Sequence, residues 1–174
     1  MTLASHDPQP SAVPNGRGNL RDIIYGAIDG AVTTFAIVAG VAGAGLPPLV
    51  IIALGFANVF ADGFSMAAGN YSGTKAELDD LNRLRRIETL RLRHDPEAVR
   101  ADLRRIFAAK GLQDGTLDSA ANEISRTPEH AVAMILDGIY GLSSVDPHPL
   151  RAALFTFGAF LIAGVVPLLP FLLP

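Results

Sequence analysis

The sequence contains no cysteine. That excludes a disulfide framework, a zinc–thiolate site or an iron–sulfur cluster built from this chain, and it removes any redox clue to compartment. Residues 1–20 have no apolar core and no cleavage-site pattern. Polar and rich in Pro, Ser, Gly and Asn, they read as a disordered cytoplasmic tail rather than a signal peptide. No segment carries a strand signal. No paired Glu-x-x-His motif occurs, which argues against a soluble carboxylate-bridged di-iron bundle. A net charge of −3 over 174 residues does not suggest a nucleic-acid partner.

Charge itself is scarce in two long regions. Between Asp29 and Lys75 the only ionisable side chains are Asp62 and Tyr71, and after Arg151 there are none. Most of the Lys, Arg, Asp and Glu fall between Lys75 and Asp146. This segregation describes an all-α membrane protein: a transmembrane helical hairpin over 21–71, a cytoplasmic helical module over 72–148, and a third transmembrane helix over 149–174.

The first span is expected from about Ile23 to Gly45, close to the roughly 20 residues that cross a bilayer. Gly26 and Gly30, Ala39 and Gly43, and Gly40 and Ala44 are small-xxx-small pairs that let another helix approach closely. Gly45-Leu46-Pro47-Pro48 stops this helix, and the second span, about Leu49 to Gly69, returns antiparallel. Arg17 and Arg21 precede the hairpin, its turn has no cation, and eleven cations lie from Lys75 to Arg126. The positive-inside rule therefore puts the N-terminus and the 72–148 segment in the cytoplasm.

Lys75–Arg93 continues the second helix, with Leu78, Leu81, Leu84 and Leu92 as a partial apolar stripe. Asp95-Pro96 starts a helix that buries Val99, Leu103, Ile106 and Phe107 and ends at Gly111. A short helix over about Leu117–Ser125 follows. Thr127-Pro128 opens another, running to about Tyr140, with Val132, Ile135, Leu136 and Ile139 apolar. The third span runs from about Arg151 to Leu173, with Pro167, Pro170 and Pro174 kinking or ending it.

The candidate site lies in the hairpin. Asn58, Asp62 and Met66 are spaced four apart and share one helical stripe. Asp29 on the first span could face them. An acid in a span costs roughly 2.5–3.5 kcal/mol on insertion scales and normally faces a partner or a water-filled cavity. Methionine in such a helix is most often packing, and a lone Asn is usually interhelical glue, but two acids on adjacent spans point to function. Carboxylates with a thioether suit a first-row divalent ion such as ferrous iron or manganese. Metal binding to carboxylates also displaces protons, as a proton-exchange transporter requires.

The residues also carry a resemblance. Asp22 through Gly30 (DIIYGAIDG), followed by Phe35-Ala36-Ile37-Val38-Ala39-Gly40, resembles the first-helix signature of the vacuolar iron transporter family. Ala57-Asn58, Ser65 through Tyr71 (SMAAGNY) and Lys75-Ala76-Glu77 resemble the second. The resemblance implies a transporter, not an enzyme, moving ferrous iron and manganese out of the cytosol. It implies five membrane helices per subunit, a homodimer with the ion path at its interface, and a cytoplasmic three-helix metal-binding module. The metal would be cargo, with no permanently bound cofactor, and lipid the other partner.

By the same resemblance Asp29 matches the path acid and Met66 the path methionine. Asn58 stands where well-studied members carry glutamate, and Asp62, one turn on, takes its place. In the module, Glu88, Glu97, Met134 and Asp137 fall near the family's metal ligands. Arg91, Arg93, Arg100 and Arg104 stand where further acids are expected. Three spans instead of five leave a second reading: a truncated, non-transporting, membrane-anchored metal-binding or interaction protein.

Overall fold

The computed structural model describes residues 16–143 and 145–172. Residues 1–15, most of the expected disordered tail, lie outside the described residues, as do Ser144, Leu173 and Pro174. The described residues are helical, with no strand among them. The chain divides into two units, one formed by 1–74 with 149–174 and the other by 75–148.

The first unit contains α1 (Gly16–Gly43), the first part of α2 (Pro48–His94) and α6 (Pro149–Val165). Helix α1 starts at Gly16, inside the stretch expected as tail. After α6 come a 3₁₀ turn at Val166–Leu168 and the four-residue α7 (Leu169–Leu172). Pro167 cannot donate an amide hydrogen to a continuing ladder, and the helix tightens there. Three stretches, Asn19–Gly43, Pro48–His94 and Pro149–Leu172, are long and apolar enough to cross a membrane. Gly45, at φ 70°, makes the turn between α1 and α2, a conformation without steric penalty only for glycine.

Packing in this unit follows three stripes at four-residue spacing. On α1 the stripe is Asp22, Gly26, Gly30, Thr34 and Val38; on the membrane part of α2 it is Ile51, Gly55, Val59 and Gly63; on α6 it is Thr156, Phe160 and Gly164, all buried. Alpha carbons of the first and last spans come close. A Cβ at Gly30 would lie 2.5 Å from the Phe160 carbonyl oxygen, and one at Gly26 would collide with the Thr156 backbone. The small-xxx-small pair read from the sequence thus receives the backbone of α6. Gly63 packs under the rings of Phe157 and Phe160, and Gly55 under Leu168. These pairings make α6 parallel to α1 and antiparallel to α2. Ile28, Val32 and Phe35 on α1, Phe60 and Phe64 on α2, and Leu154 and Ile162 on α6 are exposed, an apolar surface suited to lipid.

The second unit is built from the rest of α2 with α3 (Pro96–Ala109), α4 (Asp114–Ser125) and α5 (Pro128–Gly138). The Asp95 side chain caps α3 by accepting from the Ala98 amide at 3.0 Å, with Pro96 at the first helical position. Gly111, at φ 95°, follows its end. Helix α4 begins three residues before the expected Leu117, and Asp114 holds φ at 50° there. Val99, Leu103, Ile106 and Phe107 form one core with Ala121, Ala131 and Ile135. Leu81 closes a second with Val132 and Leu136. Ile139, expected on the buried face of α5, is exposed instead, because α5 ends at Gly138.

Candidate functional site

One side-chain hydrogen bond between α1 and α2 marks the hairpin's register. Asn58 Nδ2 donates to Thr33 Oγ1 at 3.3 Å, and Thr33 Oγ1 in turn donates to the Asp29 carbonyl oxygen at 2.8 Å. Thr33 is ten residues before the end of α1, and Asn58 is ten residues after the start of α2. In an antiparallel pair, one turn back on α1 and one turn forward on α2 remain level. Those steps lead to Asp29 and Asp62. The two acids therefore occupy the same height, roughly 21 Å from the turn at 1.5 Å per residue. Both are partly buried, as are Asn58 and Met66. Neither acid has an ion-pair partner among the described residues.

The seam continues past Met66. An open cavity of about 430 Å³ is lined by Arg21, Asp22, Tyr25, Met66, Gly69, Asn70 and Thr156. Asn70 Nδ2 donates to Thr156 Oγ1 at 2.7 Å, and Thr74 Oγ1 donates to Asn70 Oδ1 at 3.4 Å. Asp22 is 5% exposed, and its ionic neighbour is Arg21, with Nε at 3.8 Å. Asp22 and Asn70 stand in the motifs noted in the sequence, but no role was assigned to them there. Their signal was the four-residue spacing that carries Asn58, Asp62 and Met66 on to Asn70, and a third acid at the head of the first span. The hairpin thus carries two carboxylates, a carboxamide and a thioether, all partly buried, at Asp29, Asp62, Asn58 and Met66.

The second unit places its four expected ligands apart. Glu88 Oε2 accepts from Arg91 Nη1 at 3.3 Å, and Glu88 Oε1 accepts from the Tyr140 hydroxyl at 2.7 Å. Glu97 is exposed and pairs with Arg100 at 2.8 Å. Met134 is partly buried and packs against the core around Val99 and Leu103. Asp137 lies 3.8 Å from the Lys110 ammonium on the surface. Among the described residues no three His, Cys, Asp or Glu side chains gather where they could hold a metal ion. His94 and His130 are exposed, as expected of polar surface residues.

Asp102 had no role in the sequence reading and proves to be a centre of this unit. It is buried and accepts hydrogen bonds from Arg91 and Arg105. Burial pushes its carboxyl upward, but the two guanidinium groups outweigh it and hold the group below the usual carboxylate value. The Asp102 hydrogen bond raises Arg91, against its own desolvation. The hydrogen bond to Glu88, then burial, raises the Tyr140 phenol.

With helix as the regular structure of the described residues, and three helices long and apolar enough to cross a membrane, the chain is an integral membrane protein of the polytopic type. Comparison with known sequences gives the family. The profile of the VIT family matches residues 20–174, and the chain belongs to that family. It is 30% identical over 153 residues to vacuolar iron transporter 1 of Tulipa gesneriana, covering 87% of this chain and 62% of that protein. To vacuolar iron transporter 1 of Arabidopsis thaliana it is 30% identical over 155 residues, covering 88% and 62%. A vacuolar iron transporter of Toxoplasma gondii is 29% identical over 158 residues, covering 88% and 52%. The chain thus spans about 62% of the length of the plant relatives it matches.

Proposed function

We propose that the chain transports a divalent metal, ferrous iron or manganese, out of the cytosol in exchange for protons, and works as a homodimer. The single observation that carries this is the level pairing of Asp29 with Asp62, marked by the Asn58–Thr33 hydrogen bond. Two carboxylates held at one height in apolar surroundings need a counter-charge, and a passing divalent cation supplies it. Met66, one turn from Asp62, adds a soft ligand that disfavours magnesium and calcium. Protons take the cation's place on the carboxylates when it leaves, which couples the two flows. The names of the relatives support iron as cargo. The distribution of cations in the sequence supports a cytoplasmic N-terminus and a cytoplasmic 72–148 segment.

Reconstitution in proteoliposomes with a metal-quenched internal dye tests this. The parent chain should admit Mn2+ and Fe2+, and Asp29→Ala, Asp62→Asn and Met66→Ala should each lower the initial rate on the order of tenfold, about 1.4 kcal/mol. Parent-like flux in Asp29→Ala and Met66→Ala would remove the seam from the path. Absence of flux from the parent chain would remove the transport reading itself.

A further inference from the structure

The second unit contains two carboxylates that water barely reaches. Glu88 on α2 is 2% exposed and Asp102 on α3 is 3% exposed. A buried carboxylate is unfavourable unless it is paired and its lone pairs are satisfied. Here the partner is internal. One guanidinium, that of Arg91, reaches both acids: Nη1 lies 3.3 Å from Glu88 Oε2, and Nη2 donates to Asp102 Oδ2. The remaining oxygens are also taken. Arg105 donates to Asp102 Oδ1, and the Tyr140 hydroxyl donates to Glu88 Oε1 at 2.7 Å. All four carboxylate oxygens thus have protein donors.

We infer that Arg91 is the resident cation of this unit, filling the position between Glu88 and Asp102 that a divalent metal would otherwise take, so that the unit assembles without metal. Its planar, permanently charged fork bridges two acids on different helices, as a metal ion bridges two ligands. A metal could enter only by displacing the guanidinium from two buried partners. Glu97, Met134 and Asp137 cannot compensate, being committed to the surface and to the core. This departs from what the resemblance implied for the module, and it is independent of the ion path in the membrane.

Hydrogen exchange on the full chain in lipid nanodiscs tests it, read on peptides from α3, α4 and α5. With the parent, protection should be the same in saturating Mn2+ and in chelator. In Arg91→Met, which leaves Glu88 only the Tyr140 hydroxyl and Asp102 only Arg105, exchange in α3 should rise at least tenfold in chelator, and Mn2+ should recover much of that loss. The parent measurement needs no variant, so the inference stays exposed if Arg91→Met does not fold. A tenfold loss of parent protection on chelation would overturn it. So would parent-like protection in Arg91→Met, or an Arg91→Met chain whose lost protection Mn2+ does not restore at all.

Discussion

Asn58 and Thr33, twenty-five positions apart, meet through a 3.3 Å hydrogen bond between their side chains, one helical turn from Asp62 and Asp29 respectively. Hydrogen bonds between membrane helices contribute about 0.6 kcal/mol on average. Asn58→Ala should therefore lower stability by about that amount, measured by unfolding in mixed micelles. The effect on the seam should be larger than the effect on stability. With Asn58→Asp a second carboxylate joins Asp62 on the stripe, and metal affinity measured by titration should rise.

The approach of α1 to α6 gives a sharper mutational contrast. Gly30→Ala would push a methyl group against the Phe160 backbone, which cannot swing away as a side chain can. Overpacking of this kind costs about 1–3 kcal/mol. Gly40 has nothing within 4 Å of where its Cβ would be, so Gly40→Ala should be neutral or slightly stabilising. Thermal unfolding of the two variants side by side should separate them by several degrees.

Thr34 lies buried on the same stripe, and its hydroxyl has no hydrogen-bond partner. Replacing it with the nearly isosteric valine removes a polar atom that nothing satisfies. Thr34→Val should match the parent or exceed it in stability by up to about 1 kcal/mol. A clear loss of stability would show that the hydroxyl is bonded after all.

The Asp102 pair makes the second unit sensitive to acid. Its carboxyl is held below the unfolded value of about 3.9, so the folded state releases the proton more readily than the unfolded chain. The resulting stabilisation is complete above that value and is lost as pH falls through the folded-state pKa. Tyr140 behaves in the opposite sense. Its phenol is raised by the bond to Glu88, so its contribution is present below about 10 and lost as pH climbs through the raised value. Circular dichroism of Asp102→Asn should show lower stability at neutral pH and a flatter decline below about pH 5.

Much of this architecture was legible in the sequence because it is local. The Asp95-Pro96 start, the Gly111 stop and the continuation of the second span into 75–93 follow from capping chemistry and periodicity over a few residues, and the structure has each of them. Long-range pairing was less legible. Gly26 and Gly30 announced a close helix contact, but nothing in their neighbourhood named Thr156 and Phe160 as its partners. Met134 and Glu88 illustrate the same limit from the side of chemistry. As residue types they suit a metal, yet helix phase turns Met134 onto the core, and Arg91 with Tyr140 claims Glu88. Helix α4 begins at Asp114, whose φ of 50° is a left-handed angle that aspartate tolerates and helix-propensity scales do not register.

The glycine face of α1 has a consequence for biogenesis. Its partner on α6 is encoded about 130 residues downstream, which at translation rates of 5–20 residues per second is a delay of roughly 6–26 s. During that interval the first helix sits in the bilayer, or beside the translocon, with a grooved flank and no mate. The groove is filled only once α6 has been made and has packed against it.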